Sequence, residues 1–375
     1  MVTSTKVPID LAGGLASVSS YQQLMEFWKL PIYTGYYLAD LRTIELGWWE
    51  ERKCHAAFLQ LSGQQGVCES RVTEIAPGES LPPLKFALDE AVYVLQGQGV
   101  TTVSGGTGSA KKTFEWQTRS MFLLPANTTH QISNVSGTTP ARLLHYNFLP
   151  MAMAAIPDPD FFYNNPMLDP NGSVLGDDRF SQAKAVPGPR GRSAWVGNFF
   201  PDMAAWDRLD PLRERGAGGR SVSVEFPNSP HHCHMSVFPS RTYKRAHRHG
   251  PGFVIVIPGG DGFSVMWEEG QENNKIYVPW HEASCFVPPN RWFHQHFNVG
   301  PTHGRYLAFH PPIAFSGFER VERAADEIPY TNEDPAIRAR FAEELAKRGL
   351  TSAMPAEAYT NPDYEWKYQE EGGAN

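Results

Sequence analysis

The sequence predicts an all-β protein in which one β-domain occurs twice, with short helices at its margins. Three observations carry this. Short apolar runs bounded by Gly, Pro, Asn or Ser recur over about residues 54–149 and again over 221–312. Gly and Pro are abundant, 33 and 31 of 375 residues, so turns are frequent. Gly97, Pro125, His130 and Asn134 in the first half are matched by Gly260, Pro289, His294 and Asn298 in the second, always 163 or 164 residues later. Arg142-Leu-Leu and Arg305-Tyr-Leu repeat the same step.

Taken in order, residues 1–54 form an N-terminal extension. Leu24, Phe27, Trp28 and Leu30 fall at roughly helical spacing behind Ser19 and Ser20, so a short helix is expected over 21–30. Residues 55–150 are the first β-domain, with strand-type runs such as AAFLQL, RVTEI, AVYVL, GVTTV, SMFLLP and ARLLHYNFL. Residues 151–220, rich in Pro, Asp, Asn and Gly, read as an irregular connector with helical turns near 201–214. Residues 221–312 are the second β-domain, with SVSVEF, MSVFP, FVIVIPGG, FSVMW, KIYVPW, SCFVPP and RYLAFH as strands. Residues 313–375 form a C-terminal extension with an amphipathic helix over 334–349, and its polar, acidic end is expected to fray.

Composition narrows the function. With 33 Lys+Arg against 40 Asp+Glu the formal charge is −7, which gives no footprint for nucleic acid or an anionic membrane. No apolar stretch approaches the length of a membrane span and residues 1–20 lack a secretory pattern, so a soluble, cytoplasmic protein is expected. Four cysteines without a CxxC pair indicate buried thiols, with neither a disulfide framework nor a zinc ribbon.

The second half carries His247-Arg-His249, Phe253 and Gly260, then Pro289-Asn-Arg-Trp-Phe-His294-Gln-His-Phe-Asn298. The first half carries Gly78, Leu84-Lys-Phe86, Glu90 and Gly97, then Pro125-Ala-Asn-Thr-Thr-His130-Gln-Ile-Ser-Asn134. These positions resemble the two motifs of the cupin superfamily, Gly-x5-His-x-His-x3–4-Glu-x6-Gly and Pro-x-Gly-x2-His-x3-Asn, each present twice. The resemblance implies a bicupin: two tandem double-stranded β-helix (jelly-roll) barrels with short flanking helices. Phe253 stands where the family has Glu, and Arg291 where Gly is usual.

Alternate residues of a strand share a face, so His247 and His249 project together into the barrel, and the Pro-led turn would bring His294 beside them. His247, His249 and His294 are therefore the expected ligands of one divalent metal per chain, Fe(II) preferred, with Mn, Zn or Ni also compatible with imidazole. Three ligands leave positions open for substrate or O2. His296, two residues from His294, reads as a neighbouring or substrate contact or as a solvated strand residue. The tract His231-His232-Cys233-His234 reads as a loop at the barrel mouth, either supplying a base through His234 or merely exposed. Arg305 and Arg291 are candidates for pairing with a substrate carboxylate, whereas Arg248 should face away from its flanking ligands. Trp267, Trp280, Trp292, Phe263 and Phe286 would pack the core or line an aromatic pocket. In the first barrel Leu84 and Phe86 replace nitrogen donors and leave only His130 and Glu90, so this half is expected to be structural.

The resemblance and the carboxylate-free site imply a non-haem Fe(II) dioxygenase acting on a small anionic or aromatic substrate. The alternatives are a Mn-, Zn- or Ni-dependent lyase, isomerase or hydrolase, and a non-enzymatic small-molecule-binding cupin. A homo-oligomer in which residues 1–50 and 313–375 wrap a partner chain is a further expectation.

Overall fold

The computed structural model describes residues 9, 18–64, 66–105, 110–169, 175, 176, 178–181, 183–188, 192–205, 209–316 and 323–368. Within them the chain builds two barrels, each of two facing antiparallel sheets, whose strands follow one plan. In the first barrel one sheet runs Cys54–Leu59, Glu69–Ile75, Ala141–Asn147, Glu90–Gln96, Met121–Leu124, and the other Leu84–Lys85, Thr129–Asn134, Gln98–Gly105, Ala110–Gln117. In the second barrel the order is Arg220–Glu225, His232–Phe238, Gly304–Phe309, Val254–Gly259, Cys285–Phe286, facing Ala246–His247, Phe293–Asn298, Gly262–Trp267, Ile276–Trp280. The repeat read in the sequence is thus a repeat of topology, strand for strand, and the molecule is two tandem jelly-roll barrels.

Register extends the equivalence to single residues. Leu84 pairs with His130 as His247 pairs with His294, and Thr101 pairs with Ile132 as Ser264 pairs with His296. Gly97 and Gly260 turn at the same corner with φ of 95° and 97°, a left-handed conformation that glycine adopts without strain.

The segments outside the barrels hold the halves together. Ile32–Tyr33 lies parallel to Cys54–Leu59, and four residues later Tyr37–Leu38 crosses to the edge strand Cys285–Phe286 of the second barrel. The connector mirrors this, with Ser193–Val196 parallel to Arg220–Glu225 and Phe199–Phe200 on the edge of the first barrel at Met121–Phe122. The connector is therefore more regular than expected. Its strands are too short and too near Pro and Gly to show periodicity. One apolar core runs between the barrels: Leu144 and Tyr146 from one meet Val256, Leu307 and Phe309 from the other, and the equivalent rings of Tyr146 and Phe309 stack 5.1 Å apart.

The N-terminal helix spans Ser20–Trp28, capped by Ser19, whose hydroxyl accepts from the Gln22 amide, and ended by Lys29 in the left-handed conformation. The C-terminal helix spans Pro335–Ala346 behind the Asp334 cap, shorter than the 334–349 expected, because Lys347–Gly349 form its closing turn. It lays Ile337, Phe341 and Leu345 on the outer face of the second barrel's smaller sheet, with the Phe341 ring 4.9 Å from Tyr243 and 5.7 Å from Phe297. The described parts of both extensions thus pack on the chain's own barrels. The terminal residues 369–375, expected to fray, lie outside the described residues. All four cysteines are free and buried, and among the described residues no helix is long and apolar enough to cross a membrane.

Candidate metal centre

Strand alternation sorts the second barrel's side chains. Phe263, Val265 and Trp267 point outward beneath the C-terminal helix, while Ser264 and Met266 point inward with Trp280 and Phe286. On the neighbouring strand Phe293 and Phe297 point outward and His294 and His296 inward. His247 sits opposite His294, their rings 4.2 Å apart, so four imidazoles gather in the interior, each no more than 6% exposed.

One nitrogen from each of His247, His294 and His296 lies within 4.8 Å of the others, the only such group of three among the described residues. His249 stands at the flank. Its ring is 4.7 Å from His294 and 5.9 Å from His247, and 3.8 Å from Phe253. Sequence reasoning placed His249 among the ligands and His296 beside them; the structure brings His296 into the closest group.

Hydrogen bonds decide which nitrogen of each ring carries the proton. Backbone carbonyls only accept, so the Nδ1 atoms of His247, His249 and His294, at 3.3 Å, 2.8 Å and 3.2 Å from the carbonyls of Arg245, Gly250 and Trp292, must be protonated. Nε2 of each then carries a lone pair. Nε2 of His294 is buried without a hydrogen-bond partner, as expected of an atom built to bind something else. Nδ1 of His296 lies 2.8 Å from the Ser264 hydroxyl, which accepts from the Trp280 indole at 3.1 Å. Burial holds the pKa values of His247, His294 and His296 well below the ordinary imidazole value, with Arg215 and the neighbouring rings acting in the same direction. The rings are therefore neutral donors at pH 7.

The first barrel shows what the site replaces. Leu84, Phe86 and Ile132 stand at the places of His247, His249 and His296, and only His130 is kept. Glu90 is engaged otherwise: Arg71 donates to both its oxygens at 2.8 Å and 2.6 Å, His145 lies 2.7 Å away and Asn147 donates at 2.9 Å. Burial pushes Glu90 towards protonation, but Arg71 and His145 outweigh it and hold the carboxyl well below its usual range.

The remaining candidates are scattered. The expected loop at His231–His234 is instead the start of the strand His232–Phe238. Alternation sends Cys233 into the inter-barrel core and His234 inward, where it shares a 2.6 Å hydrogen bond with His310. The alternating apolar residues that follow continue the strand through the tract, a period the dense histidines obscure. His231 stacks on Phe148 at 4.3 Å, at the junction with the first barrel. Arg305 pairs across from Val237, a residue of the inter-barrel core, and so lies on the face opposite Tyr306, away from the histidines. Arg248 turns outward to Glu269 and Asp326, and Arg291 joins it on Asp326.

Sequence reasoning missed Lys244 and Tyr306. Lys244 is fully buried and donates to Tyr306 Oη at 3.1 Å, and the Tyr306 ring is 4.7 Å from His296.

Neither a scan against protein-family models nor a search of curated proteins finds a match. Similar solved structures include the oxalate decarboxylase of Bacillus subtilis, at 13% identity over 74% of this chain and 76% of that one, TM-score 0.45. The salicylate 1,2-dioxygenase of Pseudaminobacter salicylatoxidans is 16% identical over 69% and 76% of the two chains, TM-score 0.49. The coconut allergen cocosin is 11% identical over 84% and 97%, TM-score 0.47.

Proposed function

We propose that this bicupin is a metal-dependent enzyme whose second barrel holds one divalent cation among His247, His249, His294 and His296, and that it acts as a non-haem Fe(II) dioxygenase on a small anionic or aromatic substrate. The observation that carries the metal reading is the unpartnered, buried Nε2 of His294, flanked by nitrogens of two further neutral imidazoles. Motif spacing and geometry agree on His247 and His294. The motif adds His249, and the geometry adds His296.

The finer reading rests on the donor set and its surroundings. Phe253 occupies the position at which the first barrel has Glu90, so no carboxylate offsets the cation's charge there. Arg215 and Lys244 add positive charge, and Phe286, Trp280 and Tyr306 supply an aromatic wall. Such a site favours an anionic group on a flat, apolar body. A ferrous ion bound there would offer open positions at which substrate and O2 meet. The chain's own part is to fix the imidazole tautomers through Ser264 and the backbone carbonyls and to keep bulk water from the interior.

The test begins with metal content of protein purified under nitrogen without a histidine tag, compared with single alanine variants at the four histidines. We expect about one metal per chain, lost in His247→Ala and His294→Ala and weakened 10- to 100-fold in affinity in His249→Ala and His296→Ala. Unchanged metal in His247→Ala or His294→Ala would overturn the site. Substrate-dependent O2 uptake by the iron form supports the dioxygenase reading, and turnover under nitrogen assigns the lyase, isomerase or hydrolase alternative.

A further inference from the structure

The duplication supplies an internal reference for every residue of the second barrel. Beside the histidines, two interior positions that are apolar in the first barrel carry polar side chains in the second. Lys244, whose amide donates to the His296 carbonyl at 3.0 Å, is the counterpart of Leu81, whose amide donates to the Ile132 carbonyl at 2.9 Å. Tyr306, opposite Ser236, is the counterpart of Leu143, opposite Thr73. The same framework therefore closes with Leu81 and Leu143 in these places, and folding does not call for an ammonium and a phenol.

An ammonium in this position is costly. Lys244 is 0% exposed, its Nζ lies 4.7 Å from the Tyr306 ring centre and 5.4 Å from that of Phe238, and its two hydrogen-bond partners, Ser236 Oγ and Tyr306 Oη, are hydroxyls. Its third N–H finds no acceptor, and no carboxylate forms an ion pair with it, among the described residues. Glu214, the acid that bears on it from a distance, is itself paired with Arg192 at 3.0 Å. Arg215, the other cation near the histidines, has its partner in Glu327 at 2.9 Å. Lys244 thus differs from Arg215 in having no carboxylate partner among the described residues. Burial lowers its pKa while Tyr306 opposes that, and a buried charge without such a partner is ordinarily eliminated or matched.

We propose that Lys244 is the binding residue for the carboxylate of the substrate, held in place by Tyr306 and Ser236, so that the missing counter-ion is the ligand itself. The inference rests on the reading of the histidine cluster as the metal centre. Tyr306 bridges the two, with its hydroxyl on Lys244 and its ring 4.7 Å from His296, so a carboxylate on Lys244 brings the rest of a small molecule against the imidazoles. The expected substrate is a compact monoanion or dianion, one carboxylate on Lys244 and a second oxygen directed at the cation.

The experiment measures binding of acetate, benzoate and oxalate, each against its neutral amide, to the zinc-loaded protein by calorimetry, with metal content determined for every sample. We expect the wild-type protein to prefer at least one carboxylate to its amide, and Lys244→Leu to lose at least tenfold in affinity for it with metal content unchanged. Lys244→Arg should recover part of the loss. The double variant Lys244→Leu/Tyr306→Leu copies the pair found in the first barrel and should remain folded and metal-loaded while losing the preference. Equal carboxylate affinity in Lys244→Leu, or no preference for any carboxylate in the wild type, overturns the proposal. Carboxylate binding that depends on Lys244 in a protein that takes up no metal would keep this site and remove the metal reading.

Discussion

Ile132 and His296 occupy the same place in two copies of one barrel, and that single exchange turns a hydroxyl with nothing further to hold, Thr101, into an orienting group, Ser264. In both copies an indole donates to the hydroxyl, Trp116 at 2.9 Å and Trp280 at 3.1 Å, so the support came with the framework and the imidazole was added to it. The buried histidines also set an acid limit on stability. Burial lowers the pKa of His130 to about 3 and that of His231 to about 4, whereas both titrate near 6.5 once unfolded. Between those values the unfolded chain takes up protons that the folded chain refuses, so stability falls as pH drops below 6.5 and is unaffected by these groups above it. Each contributes up to about 1.4 kcal/mol per pH unit within its window. Urea midpoints at pH 7 and pH 4.5 should show the decline, and His130→Leu should reduce it; an undiminished decline in that variant would mean that His130 is protonated in the fold. The His-x-His and Pro…His…Asn spacings made His247, His249 and His294 legible in the sequence, because motif residues lie close together in the chain. Lys244 and Tyr306 meet across about 60 residues and belong to no motif; the signal that could have found them was polarity present in one copy and absent in the other.

At the scale of strands, the duplicated glycines Gly99 and Gly262, each at the start of a strand, link packing to the site. A Cβ at Gly262 would lie 2.0 Å from the Phe297 carbonyl oxygen and 2.3 Å from the Trp280 ring, and Gly99 is hemmed in alike by Ser133 and Trp116. Backbone on one side cannot yield, so Gly262→Ala must displace Trp280, at a cost of about 1–3 kcal/mol. Because Trp280 holds Ser264, and Ser264 holds His296, the variant should also bind metal less tightly. Urea denaturation together with a metal-competition titration would check both effects, and intact affinity in a destabilised protein would show that the indole does not position the histidine. Most strands of five or more residues were readable as short apolar runs between turns, but the start of His232–Phe238 read as a loop, and Ala110–Gln117, rich in Lys, Thr and Glu, was not readable. Two-residue strands such as Tyr37–Leu38 and Phe199–Phe200 were not, since their place is set by partners far along the chain.

The whole molecule is one cooperative body by this architecture. The core between the barrels draws on both, and each barrel's edge is completed by a strand that precedes the other barrel. Leu144→Ala, in the first barrel but fully buried in the shared core, should cost about 2–5 kcal/mol and lower the melting of both halves together. Calorimetry should record a single transition, and two separated transitions would refute the coupling. The crossing of Tyr37–Leu38 to Cys285–Phe286 also fixes a schedule for assembly on the ribosome. Its partner strand is translated about 250 residues later, which at about 5–20 residues per second is a wait on the order of 12–50 s. Throughout that interval the second barrel's edge has not been made, and the early strap has no ladder to join. A chain released before residue 285 keeps that strap permanently unpaired, so premature termination harms even the half that has been synthesised in full.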